Sequence, residues 1–325
     1  MVELSCAFPP GIVTPDHIVL AEELGYRRAW VYDSPALYAD VWTTLGRAAE
    51  RTSRIGLATG VLIPSLRHPM VTAAAVATIE ALAPGRFVMG VGSGFTGRLT
   101  LGQRPNRWAY VADYVRCVQA LLRGEEPEWE GARIGMLHTR AFGAERPIDV
   151  PVVLGIAGAK GEAVARELAD GVIVVARPRP GWQWCTVAVL GTVLDDGEGV
   201  DSRRVRRAAG HAAAVVVHGA YEFTGRGAAD HFPGAEVWLD AIERIPAERR
   251  HLEVHRGHLV ELNEHDELVV TPELIASTTF TGTVDDLSAR LADLAAAGVT
   301  EVAYAPAGDI ERELRTFARL APMAA

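Results

Sequence analysis

The chain has 325 residues, of which 49% are hydrophobic and 22% charged, with a formal net charge of −9. That balance fits a soluble globular enzyme and excludes disordered and fibrous classes. The acidic excess argues against a nucleic-acid partner, which needs a net basic face. Cys6, Cys117 and Cys185 lack CxxC spacing, as expected of reduced thiols in a cytoplasmic protein. The opening MVELSCAFPPG lacks the basic and apolar regions of a signal peptide, and no apolar run is long enough to span a membrane.

Strand-like and helix-like segments alternate along the chain. Residues 2–8 read as strand one, and Thr14-Pro15-Asp16 opens a helix with proline in its first turn that ends at Gly25. Residues 29–32 form strand two and residues 40–51 the next helix. Between Ile55 and Phe95 lies a β-α-β unit: an apolar strand over 55–61, a helix over 70–82 begun by Pro69 and stopped at Pro84-Gly85, and a strand over 87–91 running into Gly92-Ser93-Gly94. Right-handed crossover puts its two glycine-bearing strand ends side by side on one rim. A long helix spans 107–123, ended by Gly124, and 129–137 suggest a small hairpin. Then follow strand five over 152–156, a helix over 158–169, strand six over 172–176, strand seven over 187–194 and a helix over 203–218. A helix over 284–297, strand eight over 301–304 and a helix over 310–320 complete the series.

Eight strands separated by helices predict a (β/α)8 TIM barrel as one domain. Two irregularities qualify the pattern. The link ARPRPGWQWCT between strands six and seven is too short for a full helix, although a parallel crossover ordinarily takes a dozen residues. Residues 219–271 are polar and rich in His, Glu and Arg, which suggests an insertion after the seventh barrel helix that serves as a cap or an oligomer contact.

Three segments carry a resemblance: AEELGYRRAWVYDSP (Ala21–Pro35), TGVLIPSLRHP with LAPGRFVMGVGSG in the β-α-β unit, and PVVLGIAGAKGEAVARELADGVIV (Pro151–Val174). With VDDLSARLADLAAAGVTEVAYAP near the end, they resemble the bacterial luciferase-like superfamily of flavin and deazaflavin oxidoreductases in order and spacing. The resemblance implies a flavin-like ring at the strand C-termini. Either coenzyme F-420, a hydride carrier, or FMN with molecular oxygen and a separate reductase would supply it. The motifs lean towards F-420. The resemblance also implies a non-proline cis peptide at Gly60-Val61, against the ring, with Gly92, Ser93 and Gly94 beside it. A small organic substrate and a homodimer are the expected partners. A barrel that binds the cofactor without catalysis is the rival from another class.

Gly158, Ala159 and Lys160 open a helix after strand five, where free N–H groups and the helix dipole suit a phosphate; an ordinary tight turn is the alternative. Arg177 and Arg179 follow strand six on the neighbouring rim position and can grip phosphate bidentately, or be solvated surface arginines. Asp33, ending strand two, is a cofactor ligand or a loop anchor. The family usually follows this aspartate with histidine, which can transfer protons in deazaflavin members; here Ser34 stands there and cannot titrate near neutrality. Phe95 stands where some deazaflavin dehydrogenases carry an acid. His68 is a weak catalytic candidate that precedes Pro69 and can equally shape the turn. His251, His255 and His258 share a face if helical, but without HExxH or a Cys/His array a solvated polar helix is expected and no metal. Trp182 and Trp184 either cover the cofactor or plug the short loop.

Overall fold

A computed structural model describes residues 2–175 and 177–320. Eight parallel strands close into one barrel: β1 (Glu3–Phe8), β2 (Arg28–Val31), β3 (Gly56–Thr59), β4 (Phe87–Gly92), β5 (Val152–Gly155), β6 (Gly171–Val175), β7 (Cys185–Leu190) and β8 (Glu301–Ala305). Each pairs with its chain neighbours, and β1 closes on β8 with Cys6 opposite Tyr304. The sequence-based TIM-barrel expectation holds strand by strand, although the expected end of strand six, Ala176, lies outside the described residues.

Helices pack around the barrel: α1 (Thr14–Glu23), α2 (Val41–Arg51), α3 (Pro69–Leu82), short α4 (Phe95–Leu99), α5 (Trp108–Arg123) and α6 (Ala159–Leu168). Their ends follow local chemistry. The Asp40 carboxylate accepts the Thr43 N–H at 2.7 Å to cap α2, and Gly124, at φ +86°, ends α5 in the left-handed region. The ribbon near residue 129 is shorter than expected, pairing Glu128–Trp129 with Ala132–Arg133.

Between β6 and β7 there is no helix among the described residues. The loop is held instead on α6, where Arg166 stacks over Trp182 at 4.0 Å and donates to the Gly181 carbonyl at 2.7 Å. Trp182 therefore plugs the loop and does not cover the mouth.

Inside the barrel, Trp30 is fully buried against Ala7, Ala58, Val88, Val153 and Ala303. One large ring on the axis requires small residues on facing strands, which explains the alanines. At the opposite end from the mouth, Glu301 accepts hydrogen bonds from Arg28 Nη1 (2.5 Å), Trp30 Nε1 (2.8 Å) and Trp184 Nε1 (3.0 Å). Trp184 thus belongs to the barrel floor. This end is a stability device, as expected of the N-terminal face.

The long connection from β7 to β8 contains α7 (Arg203–Thr224), α8 (Ala235–Glu243), α9 (Arg250–Val254), α10 (Pro272–Thr278) and α11 (Val284–Ala296), and α12 (Ile310–Ala318) follows β8. Helix α7 runs six residues past the expected end at His218. The following segment has an apolar core of its own, with Trp238, Leu239, Ile242 and Val254 packed on Val205, Ala209, Ala213 and Val217 of α7. Its surface charge masked that core in the sequence. Among the described residues no helix is long and apolar enough to cross a membrane.

His211 of α7 is buried, and its Nε2 meets the Ala208 carbonyl at 3.0 Å. Burial holds its pKa down to about 4, against weaker opposing effects from that carbonyl and Asp266. The unfolded chain protonates this histidine near pH 6.5 while the folded chain stays neutral, so the unfolded state binds more protons between those values. Stability from this group is present above pH 6.5 and is lost as pH falls towards 4, by roughly 3 kcal/mol. Urea melts at pH 7 and pH 4 should show this drop in the wild type and a smaller one in His211→Leu; equal drops would contradict the assignment.

Candidate active site

The strand C-termini form a cavity of about 370 Å³. Its back wall follows from four small residues and one valine. The Gly60-Val61 peptide is cis, as the resemblance implied. Gly60 still donates to the Val31 carbonyl at 2.7 Å, and Leu62 rejoins the ladder by donating to Gly90 O at 2.8 Å. Val61 is thereby pushed out of the sheet across β4 and β5. A Cβ on Gly92 would lie 2.6 Å from Val61 Cγ2, and one on Gly155 would lie 3.2 Å from Val61 Cγ1. Glycine at both positions is the condition for the Val61 wall.

Ser93, Gly94, Ser34 and Gly158 also line the cavity, with Phe95 and Ile63 supplying apolar surface. Asp33 lines it as well, buried at 4% exposure. Its Oδ2 accepts from Arg67 Nη1 at 2.7 Å and from the Ile63 N–H at 3.1 Å. It therefore anchors the loop after β3 and faces the cavity at once.

Other expected residues fall outside the lining. His68 is exposed, caps α3 by accepting the Met70 N–H at 3.1 Å, and stands edge-on to Trp129. Its imidazole serves the helix start, the turn-shaping role that the sequence offered beside the catalytic one. Ala159 and Lys160 are exposed on the first turn of α6, and Arg177 is exposed beside it. Arg179 is half-buried, donates from Nη2 to the Ala157 carbonyl, and keeps a buried Nε without a partner. It sits against the β5–α6 turn where an anion was expected.

The sequence reading missed Tyr32, Tyr38, Thr96, His258 and Leu259, all in the lining. The tyrosines flank the VYDSP strand end, so their position was a usable signal. His258 and Leu259 come from the excursion, where the histidine spacing suggested a polar helix face and gave no sign of a place at the mouth. Tyr38 donates to the His258 carbonyl at 2.5 Å and ties the excursion to the rim. Burial pushes both phenols well above their ordinary range. His258 is driven far below its ordinary value, first by burial and then by the neighbouring His218, His255 and His211. With Asp33 paired to Arg67, the described lining offers no uncommitted acid or base for proton transfer near neutrality.

The expected polar helix of histidines is not formed. Helix α9 stops at Val254, and His255 and His258 are buried in the turn beyond it, against His218 of α7.

A second cleft, of about 450 Å³, lies on the barrel flank between β7 and helices α7, α10 and α11; it includes none of the wall glycines but shares Val175, Ala188, Leu190 and Leu259 with the mouth.

Residues 14–187 match the family model described as luciferase-like monooxygenase. The chain belongs to that family. It is 32% identical over 198 residues to an F420-dependent glucose-6-phosphate dehydrogenase of Microbacterium testaceum, covering 56% of this chain and 57% of that one. The chain spans about half the length of the curated relatives it matches. Its fold is similar over its whole length to a coenzyme F420-dependent tetrahydromethanopterin reductase from Methanopyrus kandleri, with TM-score 0.70 and 18% identity, covering 99% of that chain. It is also similar to the oxygenating constituent of a diketocamphane monooxygenase from Pseudomonas putida in complex with FMN. There the TM-score is 0.61 at 12% identity, over 99% of each chain. In this luciferase-like monooxygenase family member the glycine wall therefore stands on a shared barrel.

Proposed function

We propose that this chain is an oxidoreductase that holds coenzyme F-420 against the Gly60-Val61 wall and exchanges hydride with a small organic substrate. The observation that carries the reading is the wall itself: Gly92 and Gly155 admit Val61, with Ile173 beside it, and Phe95 and Ile63 add apolar lining to the cavity. Amino-acid side chains carry no hydride, so the redox chemistry of this reading would come from a bound ring. Coenzyme F-420 supplies a two-electron hydride carrier when bound. The chain's own residues bind, orient and exclude water. Val61 and the glycines shape the slot, while Tyr38, His258 and Leu259 roof it with the 219–271 segment as a cap. The β5–α6 turn at Gly158 and the unpartnered Arg179 Nε suit the cofactor's phosphate, with Ala159, Lys160 and Arg177 at the outer rim. The F420-dependent names of the relatives support the same choice.

A second reading is an FMN-dependent monooxygenase that uses oxygen and a separate flavin reductase. The family model's description as luciferase-like monooxygenase supports it, whereas Ser34 and Phe95, where some deazaflavin members carry titratable groups, support the rival barrel that binds a cofactor without catalysis. The three free cysteines are buried, which suits a cytoplasmic chain, and a homodimer remains the proposed assembly.

Fluorescence quenching with each cofactor separates the readings. Tight F-420 binding with weak FMN binding supports the first; tight FMN binding with oxygen-dependent turnover defeats it. Binding without reduction of the ring by any substrate supports the non-catalytic barrel. Arg179→Ala should weaken F-420 binding about 10- to 100-fold, as loss of a charged hydrogen bond does. Unchanged affinity would refute the phosphate placement.

A further inference from the structure

We propose that His218, His255 and His258 form a binding site for a divalent transition-metal ion, with zinc(II) as its natural occupant. The three side chains are 2%, 2% and 4% exposed. One ring nitrogen from each lies within 4.8 Å of the others. The hydrogen bonds identify which nitrogens these are. His218 Nε2 lies 2.7 Å from Asp266 Oδ1, His258 Nε2 lies 3.3 Å from Thr96 Oγ1, and His255 Nε2 points to Glu222 Oε1 at 3.7 Å. The outer nitrogens of His218 and His258 thus meet oxygens that can accept a proton, which leaves their Nδ1 atoms as lone-pair donors, whereas His255 Nε2 is buried without a hydrogen-bond partner.

Among the described residues the inner nitrogens have no hydrogen-bond partner outside the histidine cluster. His218 Nδ1 is buried and unpartnered. His255 Nδ1 and His258 Nδ1 stand 3.4 Å apart, so one can share a proton with the other in the metal-free protein, and a metal ion would take that proton's place. Two nitrogens bound tetrahedrally at about 2.1 Å to one ion are separated by about 3.4 Å.

The surroundings match a metal site beyond the ligands. Asp266 is itself buried, and its carboxylate fixes the His218 tautomer, as carboxylates behind metal-bound histidines do. Three imidazoles with no thiolate select zinc, copper or nickel over magnesium or calcium. Three protein ligands also leave a fourth position for water. The ion would join α7 to the excursion just behind the mouth, since His258 lines the cavity and touches Thr96 of α4.

The test uses the full chain, dialysed against EDTA and titrated with zinc(II) against a chromogenic chelator, then with cobalt(II) followed by visible absorption. One zinc per chain and a four-coordinate cobalt spectrum are expected. His255→Gln and His258→Gln should each lose zinc affinity by at least about 100-fold, and Asp266→Asn by about 10- to 100-fold. His251→Ala, beside Gly102 and off the cluster, should bind as the wild type does. Failure of the wild type to take up stoichiometric zinc overturns the site, as does uptake insensitive to both glutamine variants. If the variants do not fold by circular dichroism, the wild-type cobalt spectrum decides, and a six-coordinate spectrum or none overturns the proposal.

Discussion

Replacing Glu301 with alanine is expected to destabilise the barrel by about 3–5 kcal/mol, the cost of stripping one partner from a buried ion pair. Glu301 is 1% exposed and Arg28 6%. The carboxylate answers the Arg28 guanidinium, both indole N–H groups of Trp30 and Trp184, and the Thr186 hydroxyl at 3.3 Å. Alanine leaves the Arg28 charge and the Trp30 indole without their acceptor on the barrel floor, while Trp184 keeps only the Thr186 hydroxyl at 3.1 Å. The guanidinium also lies 4.7 Å over the Trp184 ring, so its position depends on the same cluster. Glu301→Leu combined with Arg28→Met should recover much of the loss, because the unpaired charge is then gone. Urea melts of the two single variants and the double variant measure this. A loss below about 1 kcal/mol in Glu301→Ala would show that the pair is not closed off from water.

Gly92→Val should weaken cofactor binding about 100-fold or more, while costing the fold about 1–3 kcal/mol of overpacking. The new Cβ would meet Val61 Cγ2 at 2.6 Å, closer than real contacts allow. The flexible partner in that contact is the Val61 side chain, and the space open to it is the cavity. Val61 would therefore swing into the slot meant for the ring. Thermal melts and fluorescence quenching on one sample separate the two effects. Unchanged affinity in a folded Gly92→Val protein would move the ring away from this wall.

How much of this could be read from residues alone divides by distance along the chain. Strands set by short apolar runs between glycines, such as 87–92, and helices set by local caps, such as Pro69 and Gly124, were legible because the deciding interactions lie within a few residues. The Gly60-Val61 position was legible through resemblance, since its neighbours stand in a specific order. The floor cluster was not: Arg28 and Glu301 are 273 positions apart, and nothing local marks a polar pair inside a hydrophobic barrel. The histidines failed for a related reason. Their spacing suggested a helix face, but α9 ends first and the third ring comes from α7. His68 looked chemical because of its place beside the rim, while Pro69 assigned it to capping.

A crystal structure of the chain with coenzyme F-420 tests the proposed function most directly, because it locates the ring. The deazaflavin ring is expected against Val61, between Gly92 and Gly155, with its phosphate at the Gly158 turn and Arg179. A ring bound elsewhere, in the flank cleft for example, or a mouth that takes no F-420 at saturating concentration, would contradict it.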